Sequence, residues 1–321
     1  MRVMSLAQEL DRRKYDVTMM TSPSGIPWLE DQIQALGIRR EIAESGVLDI
    51  DAITRLDPDV CLIDSYRFDA KLASALGERV PLVMICDGDT RGVNAALYVD
   101  HNLAAETNSW PPADTERILA GAAYAITRDE VMEARATRAS HDGSPHDLMR
   151  IRCVAGGADF NHTSVTFAQL LIRVGVDADV LFITEFDQEK EIMSLDWGGR
   201  RRPTFRRPSS DMLRLLTDAD FVLSAAGTTA WDLMTMGIPA CLTAVVSNQE
   251  PSLSAIDETG IAMSLGTLEA MRTDPTHAVE VVSRMAGDRD LRIRLSARAT
   301  VIFDGRGRSR IADRIDQLVS V

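Results

Sequence analysis

The stretch from residue 221 to residue 260, FVLSAAGTTAWDLMTMGIPACLTAVVSNQEPSLSAIDETG, decides the fold. It opens with an apolar run, Phe221–Ser224, and passes through three small residues, Ala225, Ala226 and Gly227. A helical pattern follows over Thr229–Met236, then Gly237-Ile238-Pro239 and a second apolar run, Ala240–Val245. A polar cluster, Ser247-Asn248-Gln249-Glu250, leads into another helical pattern at Pro251–Thr259. Two strands joined by one helix of this length lie parallel in one sheet. Their near-continuous apolarity is what a sheet covered on both faces demands.

The same alternation extends outward in both directions. Strands are expected at Val17–Met20, Val60–Asp64, Leu82–Asp87, Ala123–Ile126, Arg150–Val154, Asp179–Thr184 and Ile261–Leu265. Helices are expected at Met4–Arg13, Phe68–Leu76, Ser164–Arg173 and Met212–Thr217. The class is α/β with parallel sheets. A chain of 321 residues exceeds what one core usually covers, so two domains are expected. The polar turn-forming stretch Ser140–Pro145 marks the division, giving domains over 1–145 and 146–321. A second breaker segment, Gly198–Pro208, is rich in Arg and Pro and reads as a loop with a short strand at Thr204–Arg206.

The N-terminus departs from this pattern. A doubly wound domain begins with a strand and a glycine-rich turn before its first helix. Here Met1–Arg13 is already helical and precedes the strand Val17–Met20. The expectation is a domain without its first strand and turn, because the chain begins late or because the domain lacks them.

Composition narrows the partners. Hydrophobic residues make up 45% and charged residues 26%, with a net charge of −13. That charge argues against nucleic acid and anionic membranes as partners. No apolar run approaches the ~20 residues of a membrane span, and Met1–Leu10 lacks the apolar core of a signal peptide. Cys61, Cys86, Cys153 and Cys241 lie far apart and read as reduced thiols of a cytoplasmic protein. His101, His141, His146, His162 and His277 are scattered, and no metal site is expected.

Three turns carry the chemistry. Ala155-Gly156-Gly157-Ala158-Asp159 follows a strand and precedes a helix, where backbone N–H groups and the helix dipole favour an anion. Its alternative is a tight turn without a ligand. Ser224–Asp232 repeats the arrangement: Gly227 leaves room for a phosphate, and Thr228 and Thr229 offer hydroxyls. Asp232 stands where a carboxylate would take both ribose hydroxyls, or would only complement the helix dipole. Asn248 and Gln249 lie at the C-terminal end of a parallel strand, where α/β ligands bind. A helix cap before Pro251 is the other reading for either residue.

Together these elements resemble the nucleotide-binding region of GT-B glycosyltransferases. More narrowly, they resemble the UDP-sugar hydrolases of the pseudaminic acid pathway and their spore-coat-polysaccharide relatives (the PseG/SpsG group). MRVMSLAQEL, CLIDSYRFD, ICDGD, GAAYAITRDE, VAGGADFNH and FDGRGRSRIADRI match that group's segments in order, over almost the whole chain. The resemblance implies a GT-B fold, two Rossmann-like parallel-sheet domains facing a cleft. It also implies a UDP-sugar substrate whose glycosidic C–O bond is hydrolysed without metal or other cofactor. The uridine diphosphate would be held by Gly156, Gly157, Ser224, Gly227, Thr228, Thr229, Asp232, Asn248 and Gln249. The group's base is a His in a Gly-x-Gly-His turn ahead of the first helix, and no residue here matches it. His101 is not at that position. Asp64, Tyr66, Asp87 and His101 remain as candidates on the N-terminal side, with solvated strand ends as the alternative. A glycosyltransferase with the same donor pocket and a non-catalytic nucleotide-sugar binder stay open beside the hydrolase.

Overall fold

The computed structural model describes residues 2–25, 27–43, 49–66, 69–108, 110, 115–139, 148–156, 159 and 161–320. The expected division at Ser140–Pro145 and the site candidate Gly157 lie outside them. The contacts group the chain into two compact units, Met1–Arg128 with Gly305–Val321, and Asp129–Asp304.

The first unit holds α1 (Arg2–Arg12), β1 (Thr18–Thr21), α2 (Pro27–Ala35), β2 (Arg39–Ile42), α3 (Ile50–Arg55) and β3 (Cys61–Ile63). It continues through α4 (Ala70–Gly77), β4 (Leu82–Ile85), β5 (Leu97–Asp100) and β6 (Ile118–Ala120). All its strand pairs are parallel, in two pieces: β1 with β2, and the order β3-β4-β5-β6. β4 is buried on both faces, which explains its unbroken LVMI. Val83 and Ile85 pack with Leu6 and Leu10 of α1, while Leu82 and Met84 pack with Ala73 and Leu76 of α4.

The last helix, α13 (Gly307–Val319), also belongs to this unit. Its Ile311, Ala312 and Ile315 join the face formed by Leu6, Val83 and Val99. That apolar stripe is why residues 305–321 leave the domain that the sequence division at 146 would give them. Gly307 sits so close to the turn before it that a Cβ there would come within 2.6 Å of Ala125 N and Tyr124 C. Ala123–Ile126, expected as a strand, is not one: Gly121, at φ +96°, reverses the chain into a 3₁₀ turn, Ala122–Tyr124. The strand is instead Ile118–Ala120, paired with β5.

The second unit begins with α5 (Asp129–Ala139), β7 (Met149–Val154), α6 (Thr163–Val174), β8 (Ala178–Ile183), α7 (Phe186–Ser194) and β9 (Thr204–Arg206). It continues with β10 (Phe221–Ala225), α8 (Thr228–Met236), β11 (Ala240–Ala244), α9 (Glu250–Thr259) and β12 (Met263–Thr267). Three helices follow: α10 (Leu268–Thr273), α11 (Thr276–Gly287) and α12 (Arg289–Ile302). The expected helix Met212–Thr217 is a 3₁₀ segment, Ser210–Leu216. α5 is held here by Arg138, which donates to the carbonyls of Gly237, Thr217 and Ala219.

The sheet of this unit is wholly parallel, in the order β12-β11-β10-β7-β8-β9. Counted from its own first strand, that is the doubly wound order 3-2-1-4-5-6, which reverses between β7 and β10. Ser224 stands beside Val154 on one side and Leu242 on the other. Phe167, Phe182, Phe221 and Leu223 centre the core, and Trp231 of α8 stacks on Phe303 at 5.3 Å. Among the described residues, no helix is long and apolar enough to cross a membrane.

Candidate functional site

Each unit presents a cluster at the C-terminal ends of its strands. In the second unit, the loops after β7, β10 and β11 meet. The turn after β7 contains Gly156, at φ +97°, where an added Cβ would meet nothing within 4 Å. Asp159 closes the turn by accepting from Thr163 N at 2.8 Å and Ser164 N at 2.9 Å. It therefore caps α6 itself, and those two N–H groups are spent inside the protein. The anion seat expected at this helix N-terminus is occupied by the protein's own carboxylate.

The N-terminus of α8 differs. Its N-cap is Gly227, and no side chain caps it. Thr228 is exposed and Thr229 half-buried. Ala230 N donates back to Gly227 O at 2.8 Å, which tightens the first turn. An uncapped N-terminus with small residues in front of it is the arrangement that receives an anion. Ser224 is fully buried, and its hydroxyl donates to Ala225 O at 3.3 Å, so it serves the strand end. Asp232 is 4% exposed, one turn into the helix.

The polar cluster after β11 flanks this N-terminus. Gln249 accepts from Val245 N at 2.9 Å, and its Nε2 would lie 3.3 Å from a Cβ on Gly227. Asn161 Nδ2 donates to Val245 O at 3.5 Å, joining this loop to the one after β7. Asn248 is exposed. Gly156, Gly227, Thr228, Thr229, Asp232, Asn248 and Gln249 thus stand around the switch between β7 and β10. Gln188, which the sequence did not single out, donates to Asp159 O at 3.0 Å and accepts from Thr184 Oγ1 at 3.1 Å. It fixes the turn from behind.

The first unit brings together all four of its expected candidates. Asp64 follows β3, Asp87 follows β4, and His101 follows β5. Arg2, which the sequence reading missed, joins them from α1. It donates to both oxygens of Asp64, at 2.6 and 3.1 Å, and to Asp87 Oδ1 at 2.6 Å. Burial alone would pull the Arg2 guanidinium down, but the two carboxylates outweigh it and raise it. Tyr66 donates to Asp87 Oδ2. Asn102 Nδ2 donates to Asp87 Oδ1 at 2.9 Å and to Asp100 Oδ1 at 2.8 Å. Asp100 Oδ2 accepts from Gly88 N at 2.7 Å. Burial raises the Asp100 carboxyl above the ordinary range.

His101 is 1% exposed. Burial, aided by the Arg2 charge and opposed by Asp64, lowers its pKa to about 3. Ile126 N lies 3.5 Å from Nδ1 and Arg2 Nη1 lies 3.5 Å from Nε2; both are donors, and a neutral ring accepts at one nitrogen only. His101 is buried inside this cluster. Cys153 and Cys241 are fully buried thiols raised by that burial, and they add no nucleophile.

This architecture has counterparts among solved structures. MurG from Acinetobacter baumannii superimposes with a TM-score of 0.67 at 14% identity, over 98% of this chain and 95% of that one. The fold is GT-B. Likewise, the UDP-GlcNAc 2-epimerase from Neisseria meningitidis bound to UDP-GlcNAc gives 0.65 at 10% identity, over 99% and 98%. CalG4, the calicheamicin glycosyltransferase, gives 0.59 at 18% identity, over 99% and 94%. No protein-family model matches the sequence, and no curated protein matches it either.

Proposed function

We propose that this GT-B protein is a nucleotide-sugar enzyme whose second unit binds the nucleoside diphosphate. The observation that carries the reading is the contrast between two helix N-termini at one topological switch. Asp159 caps α6, while no side chain caps α8, where the Thr228 and Thr229 N–H groups stand ahead of the bonded Ala230. The diphosphate sits on Gly227, Thr228 and Thr229, with Gly156 allowing close approach and Asp232 taking the ribose hydroxyls. Asn248 and Gln249 complete the rim. Amides aimed at the diphosphate stabilise the charge that grows on it as a leaving group.

The reaction is cleavage of the glycosidic C–O bond with water as the acceptor, releasing UDP and the free sugar, as in the hydrolase group that the motifs resemble. The first unit holds a separate cluster of polar groups of the kind such chemistry uses. Asp87 is the candidate base: Tyr66, 62% exposed, covers its Oδ2 and uncovers it on turning away. Asp64 and Arg2 complete the cluster. Transfer of the sugar to another hydroxyl is the second reading, favoured by the glycosyltransferase among the solved structures of this fold.

The test is UDP release from a panel of UDP-sugars, with and without added acceptor. Release without acceptor supports hydrolysis, and release only with acceptor supports transfer. Tight UDP binding without turnover under either condition leaves a binding protein. Absence of UDP binding refutes the proposal.

A further inference from the structure

Between α6 and α10 the second unit holds a small cavity of about 60 Å³ that the proposed nucleotide site does not use. Two arginines line it, Arg173 from the last turn of α6 and Arg272 from α10. Leu170 and Met271, 3% and 4% exposed, give it an apolar wall, and Gln169 adds a side-chain amide. Among the described residues no carboxylate lines it.

Elsewhere in this acidic chain, Arg2, Arg13, Arg40, Arg152 and Arg207 each meet a carboxylate. Arg272 does not. Its Nε donates to Thr166 Oγ1 at 3.1 Å and its Nη2 to Asn161 O at 2.5 Å, while Nη1 has no hydrogen-bond partner among the described residues. The guanidinium is fixed along one edge and open along the other. Arg173 makes no hydrogen bond or ion pair among the described residues, and neither does the Gln169 side chain. Gln169 and Arg173 stand one helical turn apart on one face of α6. Two like charges beside one cavity repel each other, and an anion between them reverses the sign of that interaction. A phosphate offers oxygens enough for both guanidinium edges and an amide N–H. The volume suits one such group, whereas sites for whole small molecules run to roughly 300–1,000 Å³.

We propose that Arg173, Arg272 and Gln169 form a second anion site on this unit, one that takes a single phosphate group. The phosphate is free or is carried as a monoester on a small molecule. The site shares no residue with the diphosphate seat on α8. Arg272 is its preset half, anchored by Thr166 and Asn161, and Arg173 closes onto the ligand from α6.

The experiment is calorimetry on the full chain with inorganic phosphate and with glycerol 3-phosphate, each in excess UDP so that α8 is not the seat measured. Arg173 is the residue to change, because it is exposed and bonds to no described residue, and far-UV circular dichroism checks the fold. The unsubstituted chain should bind at least one probe. Arg173→Gln should bind it roughly 10- to 100-fold more weakly, the range expected for one lost charge-assisted hydrogen bond. UDP affinity, measured alone, should not change. Tighter binding of the ester identifies a carried phosphate, and tighter binding of the inorganic ion a free one; either supports the site. Equal binding by the unsubstituted chain and Arg173→Gln overturns the inference, as does failure of both probes to bind. An equal loss of UDP affinity in Arg173→Gln also overturns it, because the two seats would then be one. Failure of the chain to bind UDP overturns the function proposed above and leaves this readout in force.

Discussion

Lowering the pH from 7 to 5 should weaken the first unit through His101 alone, by an amount that follows from its burial. An ordinary imidazole titrates near 6.5, whereas His101 in the folded protein is held to about 3. Below pH 6.5 the unfolded chain binds a proton that the folded chain refuses. Stability is therefore present above the unfolded pKa and is lost as the pH falls through it, down to about 3. At pH 5 the separation is about 1.5 units, and at 1.36 kcal/mol per unit the loss is about 2 kcal/mol. The perturbation is His101→Asn, whose side-chain carbonyl can still accept from Ile126 N–H. Amide hydrogen exchange of β4 and β5 reports the opening free energy of this unit specifically. The wild type should lose about 2 kcal/mol more than the variant between pH 7 and 5. The same loss in both proteins would refute the reasoning.

Three further outcomes are expected. Gly307→Ala would push a Cβ to within 2.6 Å of backbone atoms of Tyr124 and Ala125, and thermal unfolding should show a loss of about 1–3 kcal/mol or more. Asp232→Asn should weaken UDP binding by about 1.5–3 kcal/mol in calorimetry while leaving the circular dichroism spectrum intact. Asp159→Ala removes the cap of α6 and should lower stability in urea by about 0.5–2 kcal/mol, with UDP still bound at α8.

The second unit was the more legible half. Its strands Phe221–Ala225 and Ala240–Ala244 are buried from end to end, Met149–Val154 is buried from Ile151 on, and glycine turns punctuate them. Both signals survive without tertiary information. β2 was missed because Arg39-Arg40-Glu41-Ile42 is mostly charged and half-exposed, so apolar periodicity was silent. Ala123–Ile126 misled for the opposite reason: its apolar residues are buried as a turn under Gly307 rather than in a sheet. The carboxylates at strand ends could be named from local pattern. Arg2 could not, because its partners Asp64 and Asp87 lie 62 and 85 positions away. Asp159 was read as part of a ligand turn because only its distances to Thr163 N and Ser164 N reveal the cap.

The membership of α13 in the first unit sets an order of assembly. The chain leaves that unit after Arg128 and returns to it at Gly305, so the second unit is an insertion within the first. During synthesis all of Asp129–Asp304 emerges before the residues that complete the first core. The second unit can therefore finish folding while Leu6, Leu10, Val83 and Val99 still await Ile311 and Ile315. That apolar face stays uncovered until the final helix arrives. A ribosome stalled near residue 304 would hold a folded second unit and an unfinished first one, the species most in need of a chaperone.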